Sequence, residues 1–443
     1  MGPRYTGYPI HFQRFYRITS VSESNRTQIA LFNYGGGLRG LIPAYIMARI
    51  EDVTGLRMTD MVDIFAGPST GSILNAALNL RHPEHPEQPK YRARHMVRFY
   101  EREGARIFPA DSFREMRGLI HDFNNRTMKL NQLNWLFKHG HYDPSNLGHA
   151  LQALFGTAQL SDSLRSLIIP CYNIDGDGIE AVTERGETGN SPVHTKNNFI
   201  NEGGHALWLK SMRTGTPAEH RANTPHVSLY DAVMASCAAP TYFPCHHFPA
   251  TLPGDSERKY YSAIDGCIFD NPCISYLGAI RQHIQPGQNL KMIVLGTGYT
   301  NKSIKRDEWN RFGALGVVDP VNDLPLINIF FNASESALMD SFAAEMGDNL
   351  YVFNKSLHAG RHGDFPSIQI DDASPENMNR LRLFFEAIME DNARMFDDVC
   401  HILVSNRDRR SDEDRSKRKE GILRYFVSMF DGRDSSTDRS LDD

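Results

Sequence analysis

Apolar residues change period along this chain, and each change marks an element. Residues 27–32 form a short apolar run that predicts a buried strand, ending in Gly35, Gly36, Gly37, Leu38, Arg39 and Gly40. Leu41, Ala44, Tyr45, Met47, Ala48 and Ile50 then recur at helical spacing ahead of Gly55, so a helix follows. A second strand is predicted at 62–66; past a turn at Gly67, the run Ile73, Leu74, Ala76, Ala77, Leu78 and Leu80 reads as a buried helix. Strand, helix, strand, helix implies an α/β sheet, and apolar runs at 166–173 and 290–295 extend it.

Other stretches break the pattern. Residues 81–90, rich in proline and histidine, read as a surface loop, and the polar, glycine-bearing stretch 188–221 as a long insertion over the surface. After Asn406 the chain is dense in charge, with both signs between 407 and 420, and reads as a solvated or disordered tail. Within it Ile422, Leu423, Phe426, Val427 and Phe430 fall at helical spacing beside Arg424. A short amphipathic helix there would dock on the protein's own body in preference to lying on a bilayer, since one short helix buries little. Trp135, Leu136 and Phe137, flanked by Lys129 and Lys138, open the same two readings, and core packing is the favoured one.

With 443 residues, 40% hydrophobic and 23% charged, the chain has the composition of a globular protein built on one large unit with appended segments. No apolar run approaches the roughly 18 residues of a membrane span. A net charge of -5 argues against a nucleic-acid coat protein. The first 16 residues lack the apolar core of a secretory signal, so synthesis and folding in a cytosol are expected. Gly2 with Thr6 fits a myristoylation pattern, but Pro3 and Arg4 beside it favour coincidence. Cys171, Cys237, Cys245, Cys267, Cys273 and Cys400 form no CxxC pair and no metal-ligand spacing; reduced thiols and no metal site are expected.

The chemistry gathers at the turns. Gly67, Pro68, Ser69, Thr70 and Gly71 spell GxSxG at a predicted strand-to-helix junction, the setting in which that motif means a nucleophile elbow. Gly35, Gly36 and Gly37 present successive amide groups at a strand end, which suits an oxyanion. The same loop also fits GxGxxG, but the acidic residue a dinucleotide fold expects after the second strand is replaced by the GxSxG turn. For a base, His246 and His247 keep a Ser-His-Asp triad open, and Asp265, followed by Gly266 and Cys267, is the better placed alternative.

Taken in order, these segments resemble the patatin-like phospholipases, a family that uses a Ser-Asp dyad without histidine. Residues 35–40 resemble its oxyanion segment DGGGxRG, 67–71 its GxSxG, and Asp265 with Gly266 its DG[GA] motif. DAVMASCAAPTYFP at 231–244, the DGxxxxNP stretch at 265–272 and LGTG at 295–298 also match, the whole covering about 28–299 and more faintly reaching 393.

The resemblance implies a three-layer α/β/α sandwich with a mostly parallel central sheet: an extension at 1–26, a catalytic domain at 27–400 and a charged tail at 401–443. It further implies hydrolysis of phospholipid or lysophospholipid acyl esters with Ser69 as nucleophile and Asp265 as base. Gly35, Gly36, Gly37, Leu38 and Arg39 would form the oxyanion segment, Gly67 and Gly71 the elbow, with no cofactor and no metal. Arg39 would brace that loop or meet lipid phosphate. A cytoplasmic protein in peripheral contact with membranes is implied; relatives that are injected effectors leave export without a cleavable signal open, and a protein or nucleotide activator stays open by the same analogy. The sequence departs from the family at Tyr34, where an aspartate is usual, and at Pro68 and Cys267. A catalytically silent lipid-binding scaffold and an esterase for non-lipid acyl esters are the alternatives.

Overall fold

The computed structural model describes residues 27–109, 142–175, 203–213, 216–300, 304–316, 325–358 and 365–431. Met1 to Arg26 and Trp135, Leu136 and Phe137 lie outside these residues.

Eight strands form one sheet: β1 (Thr27–Asn33), β2 (Ile64–Ala66), β3 (Ser166–Asn173), β4 (His205–Ser211), β5 (His246–Ala250), β6 (Lys259–Asp265), β7 (Asn289–Leu295) and β8 (Leu350–Phe353). β3, β2, β1, β7 and β8 are parallel, in that order, and β4, β6 and β5 pair antiparallel around β3. The parallel strands are continuous apolar runs because both sheet faces are covered. In β1, Ile29 and Leu31 enter the larger core cluster, while Ala30 and Phe32 enter a second one on the opposite face. Helices α1 (Leu41–Thr54), α2 (Thr70–Asn79), α3 (Ala93–Ile107), α4 (Pro144–Phe155), α5 (Leu229–Cys237), α6 (Pro325–Met346), α7 (Pro375–Asp391) and α8 (Ala393–Asp431) complete the layers. All but α6 pack on the first face; Phe342 and Met346 of α6 cover the second. The expected three-layer α/β/α arrangement is what the chain adopts.

Register at β3 explains how distant segments meet. Ile168 pairs with Ala66 of β2 and with Lys210 of β4, and Cys171 pairs with Asp265 of β6 and with Leu207 of β4. Since β4 holds one edge of β3 throughout, β2 and β6 share the other, and β6 occupies it just beyond the point where β2 stops. The end of β6 therefore meets the turn that follows β2.

Two expectations need correction. The stretch 188–221 is not simply a surface insertion: its described part contains β4, a strand of the sheet paired along β3, and a short helix at Pro217–Ala222. Leu207 and Leu209 alternate with outward residues and are buried, a two-residue period hidden among polar flanks. Nor does a solvated tail begin at 401 or 406, because α8 runs unbroken from Ala393 to Asp431. Val399, Cys400 and Leu403 are buried, Asn406 donates to Met61 O at 2.7 Å, and Arg410 pairs with Asp63 at 3.1 Å. The charges there answer charges on the core. Ile422, Leu423, Phe426, Val427 and Phe430 fall within the helix, their side chains outside the described ones. No described helix is long and apolar enough to cross a membrane.

Candidate active site

β2 ends at Ala66 and α2 begins at Thr70, leaving three residues to reverse the chain. Ser69 does so at φ 53° and ψ -129°, a conformation costly for a side chain and held only by strong surroundings. Those surroundings begin with β1. The carbonyl of Asn33 passes so close to Gly67 and Gly71 that a Cβ on either would stand 2.0 Å from its oxygen. The Asn33 side chain donates to Asn75 Oδ1 at 2.7 Å, and Asn75 returns a bond to Ala66 O at 2.9 Å, which locks strand, turn and helix together. The Ser69 amide is shared between Ser236 O at 3.1 Å and Ser236 Oγ at 3.0 Å. Pro68, which lacks an N–H, keeps its carbonyl in use as the acceptor for Gly71 N at 2.9 Å.

Asp265 closes β6, where its amide donates to Ala238 O at 3.0 Å. Its carboxylate is buried and accepts the Cys267 amide at 2.8 Å, and it lies close enough to Ser69 for the hydroxyl to draw its pKa down. Burial pushes its pKa up to about 6, against the opposing pull of the Cys267 amide, the Ser69 hydroxyl and the Cys267 thiol. The structure thus joins the two residues singled out in the sequence, 196 positions apart. The histidines lie elsewhere: His246 Nε2 is 3.0 Å from Asp231 Oδ1 and His247 Nδ1 is 3.0 Å from Ser262 Oγ.

The glycine loop borders Ser69. A Cβ at Gly35 would stand 2.2 Å from Cys267 Sγ and 2.8 Å from Ser69 Cβ, so a side chain is excluded where the serine, the thiol and the loop converge. Thr297 Oγ1 holds the loop by donating to Gly35 O at 2.8 Å. The amides of Gly36 and Gly37 have no partner among the described residues. Leu38, expected to donate to an oxyanion, instead gives its amide to Ile370 O at 2.7 Å, and Arg39 gives its amide to Gly36 O at 3.1 Å. In this conformation the loop amides left without a described partner are those of Gly36 and Gly37, the tight turn having spent the next two on itself and on Ile370.

Arg39 lies beside Tyr242 and Cys267, with burial lowering its pKa to about 10. Among the described residues no carboxylate pairs with it, and its Nε is buried without a hydrogen-bond partner. A narrow apolar cavity runs from Ser69 between Ile73, Phe99, Tyr100, Phe108 and Phe243, to name its main walls. Its volume of about 40 Å³ has room for roughly three waters.

Tyr34 is tied into the opposite helical layer, its hydroxyl donating to Glu335 Oε1 at 2.9 Å and its amide to Leu295 O at 3.0 Å. Sequence reasoning gave no role to Ser236 or Thr297, although both stand in segments it quoted, and it missed Ile370 and the aromatic walls. No metal-holding group of three or more His, Cys, Asp or Glu occurs among the described residues.

A family profile described as Patatin-like phospholipase matches residues 34–277. Among curated proteins, Patatin-like protein 1 of Oryza sativa subsp. indica is 26% identical over 376 residues, 78% of this chain and 77% of the rice protein. Patatin-like protein 2 of Arabidopsis thaliana is 26% identical over 68% of this chain and 67% of its own length. Patatin-T5 of Solanum tuberosum is 22% identical over 82% and 86%. Among solved structures, VipD from Legionella pneumophila aligns over 81% of this chain and 67% of its own, at 12% identity and a TM-score of 0.28.

Proposed function

The chain belongs to the patatin-like phospholipase family of lipid acyl hydrolases, and on that premise we propose that it cleaves phospholipid or lysophospholipid acyl esters with Ser69 and Asp265. The observation that carries the reading is Ser69, at a strained strand-to-helix turn, set beside the buried carboxylate of Asp265, whose pKa the serine hydroxyl draws down. Asp265 accepts the hydroxyl proton as Ser69 Oγ attacks the ester carbonyl. The amides of Gly36 and Gly37, aided by the N-terminus of α2, stabilise the oxygen that becomes negative. The leaving lysolipid or glycerophosphodiester takes the proton from Asp265. A water then attacks the acyl-enzyme, giving its proton to Asp265, which returns it to Ser69 Oγ as the fatty acid departs.

Arg39 supports a phosphate-bearing substrate, being a buried cation in the glycine loop with no carboxylate paired to it among the described residues. The apolar cavity supports an acyl chain. The lipid is reached from the membrane surface, since no described helix crosses a bilayer. The small cavity volume favours a second reading, an esterase for short acyl chains, which short- and long-chain esters compared at equal concentration distinguish.

Fatty-acid release from mixed phospholipid vesicles tests the main reading. Wild type should release fatty acid, and Ser69→Ala and Asp265→Asn, folded by circular dichroism, should be slower by at least about 10³-fold. Activity surviving in Asp265→Asn would remove the aspartate from its role. A wild type that resists fluorophosphonate labelling at Ser69 would dispose of the hydrolase itself.

A further inference from the structure

Ile370 touches both halves of the site. It lines the apolar cavity with Ser69, and its carbonyl accepts the Leu38 amide at 2.7 Å. Contact with the glycine loop is at its closest here: Gly37 sits at φ 56°, and a Cβ on it would stand 2.1 Å from Ile370 O. Ile370 thus braces the loop through Leu38, one residue on from Gly37, and against Gly37 itself.

What holds Ile370 is the next residue. Asp371 is buried, and its Oδ2 accepts the hydroxyl of buried Tyr142 at 2.9 Å. Tyr142 is itself fixed by an amide bond to Tyr242 O at 2.7 Å. Its ring meets Phe108 edge-on at 5.4 Å and lies 6.0 Å from Phe243, two residues that form the cavity wall. On the far side, Asn377 at the start of α7 donates to Asp372 O at 2.7 Å, and Ser374 caps the same helix turn. Asn377 also accepts the Ser367 amide at 2.8 Å, so α7 clasps the segment on both sides of Ile370, and Tyr142 holds Asp371 from behind the cavity.

We infer that Tyr142 and Asp371 are positioning residues for the oxyanion loop, linking the aromatic wall of the cavity to Gly36 and Gly37 through the Ile370 carbonyl. The inference rests on the proposed hydrolase, and gives the acyl chain a second task. A chain that fills the cavity presses on Phe108 and Phe243, behind which Tyr142 lies, and so steadies the donors that receive the oxyanion. Neither Tyr142 nor Asp371 touches the reacting atoms, so their effect belongs to kcat and not to KM.

The experiment compares wild type, Tyr142→Phe, Asp371→Ala and Asp371→Asn on short- and long-chain p-nitrophenyl esters, with the rate of fluorophosphonate labelling of Ser69 and thermal unfolding of each. Tyr142→Phe and Asp371→Ala should lower kcat and the labelling rate by about 10-fold, less than the roughly 100-fold of a 1 Å misplacement, and flatten the dependence of kcat on chain length. Asp371→Asn keeps an oxygen that accepts the Tyr142 hydroxyl and should retain most of both rates. Should Asp371→Ala not fold, Tyr142→Phe decides, since it removes one oxygen and keeps the ring. Wild-type rates in folded Tyr142→Phe, whatever its melting temperature, would overturn the inference alone. A wild type neither labelled nor active would overturn the parent reading and this one with it.

Discussion

The two ends of the central strands each hold a carboxylate and a buried arginine, and they treat them oppositely. At the far end, Asp63 and Arg410 meet at 3.1 Å, and Asp63 also accepts the Asn406 amide at 2.8 Å and the Ile29 amide at 2.9 Å. Arg410 spreads its remaining contacts over the carbonyls of Thr59, Asp60 and Val62. At the site end, Asp265 has no described cation and Arg39 has no described carboxylate, though both lie near Cys267. Burial lowers both arginines to about 10, Arg410 against the upward pull of Asp63 and Arg39 against that of Tyr242 and Cys267. A pair closed on itself holds α8 to the sheet. On the proposed mechanism, an arginine and a carboxylate kept apart leave one charge for a ligand and one for a proton.

Removing each arginine sharpens the contrast. Arg410→Met, which keeps an apolar stem but leaves Asp63 without its cation, should cost about 2 kcal/mol in urea unfolding and leave kcat of the folded protein unchanged. Arg39→Met should be no less stable than wild type, because it deletes a buried charge with no described counter-ion. Its hydrolysis of phospholipid should fall about 10-fold while a neutral ester is cleaved as before, the loss expected for one charged hydrogen bond. Equal destabilisation by the two substitutions would dissolve the distinction between the two ends.

The smallest effect is read by pH. A folded pKa of about 6 lies above that of an ordinary carboxylic acid, so the native state holds the Asp265 proton more tightly than the unfolded chain does. As pH falls from about 6 towards 4, this group adds stability while the base needed by Ser69 disappears. Activity should halve near pH 6 with no accompanying loss of fold by circular dichroism. Activity that persists undiminished to pH 5 would mean that Asp265 is not the base. Asp270, five residues on, is pushed still higher, to about 8, by burial, yet its oxygens accept the Ser275 hydroxyl at 2.9 and 3.0 Å. A shifted pKa without a nucleophile beside it marks burial, not a role.

Much of this was legible in the sequence because local rules agreed there. Gly67 and Gly71 had to be glycine for the Asn33 carbonyl to pass, and that need is written in the chain as GxSxG. Both strands around the turn were apolar runs, as doubly covered strands must be. β4 was missed since its two-residue period spans only seven positions amid polar neighbours, and its place beside β3 is a long-range pairing. The length of α8 was missed because charge density reads as solvation unless the complementary charge is known, and Asp63 lies 347 residues away. Ile370 escaped for a related reason: it acts through a backbone carbonyl, which leaves no mark on the identity of the residue.

The shared edge of β3 also sets a timetable. Ribosomes deliver Ser69, the glycine loop and β2 early, but the position beyond β2 stays empty until β6 is made, and the clamp at Ile370 arrives later still. A half-made chain that has already folded its first strands carries a serine without a base and a loop without its brace. On this reading, ester cleavage is among the last properties the protein acquires, and fragments left by aborted synthesis pose no threat to the lipids of the cell that makes them.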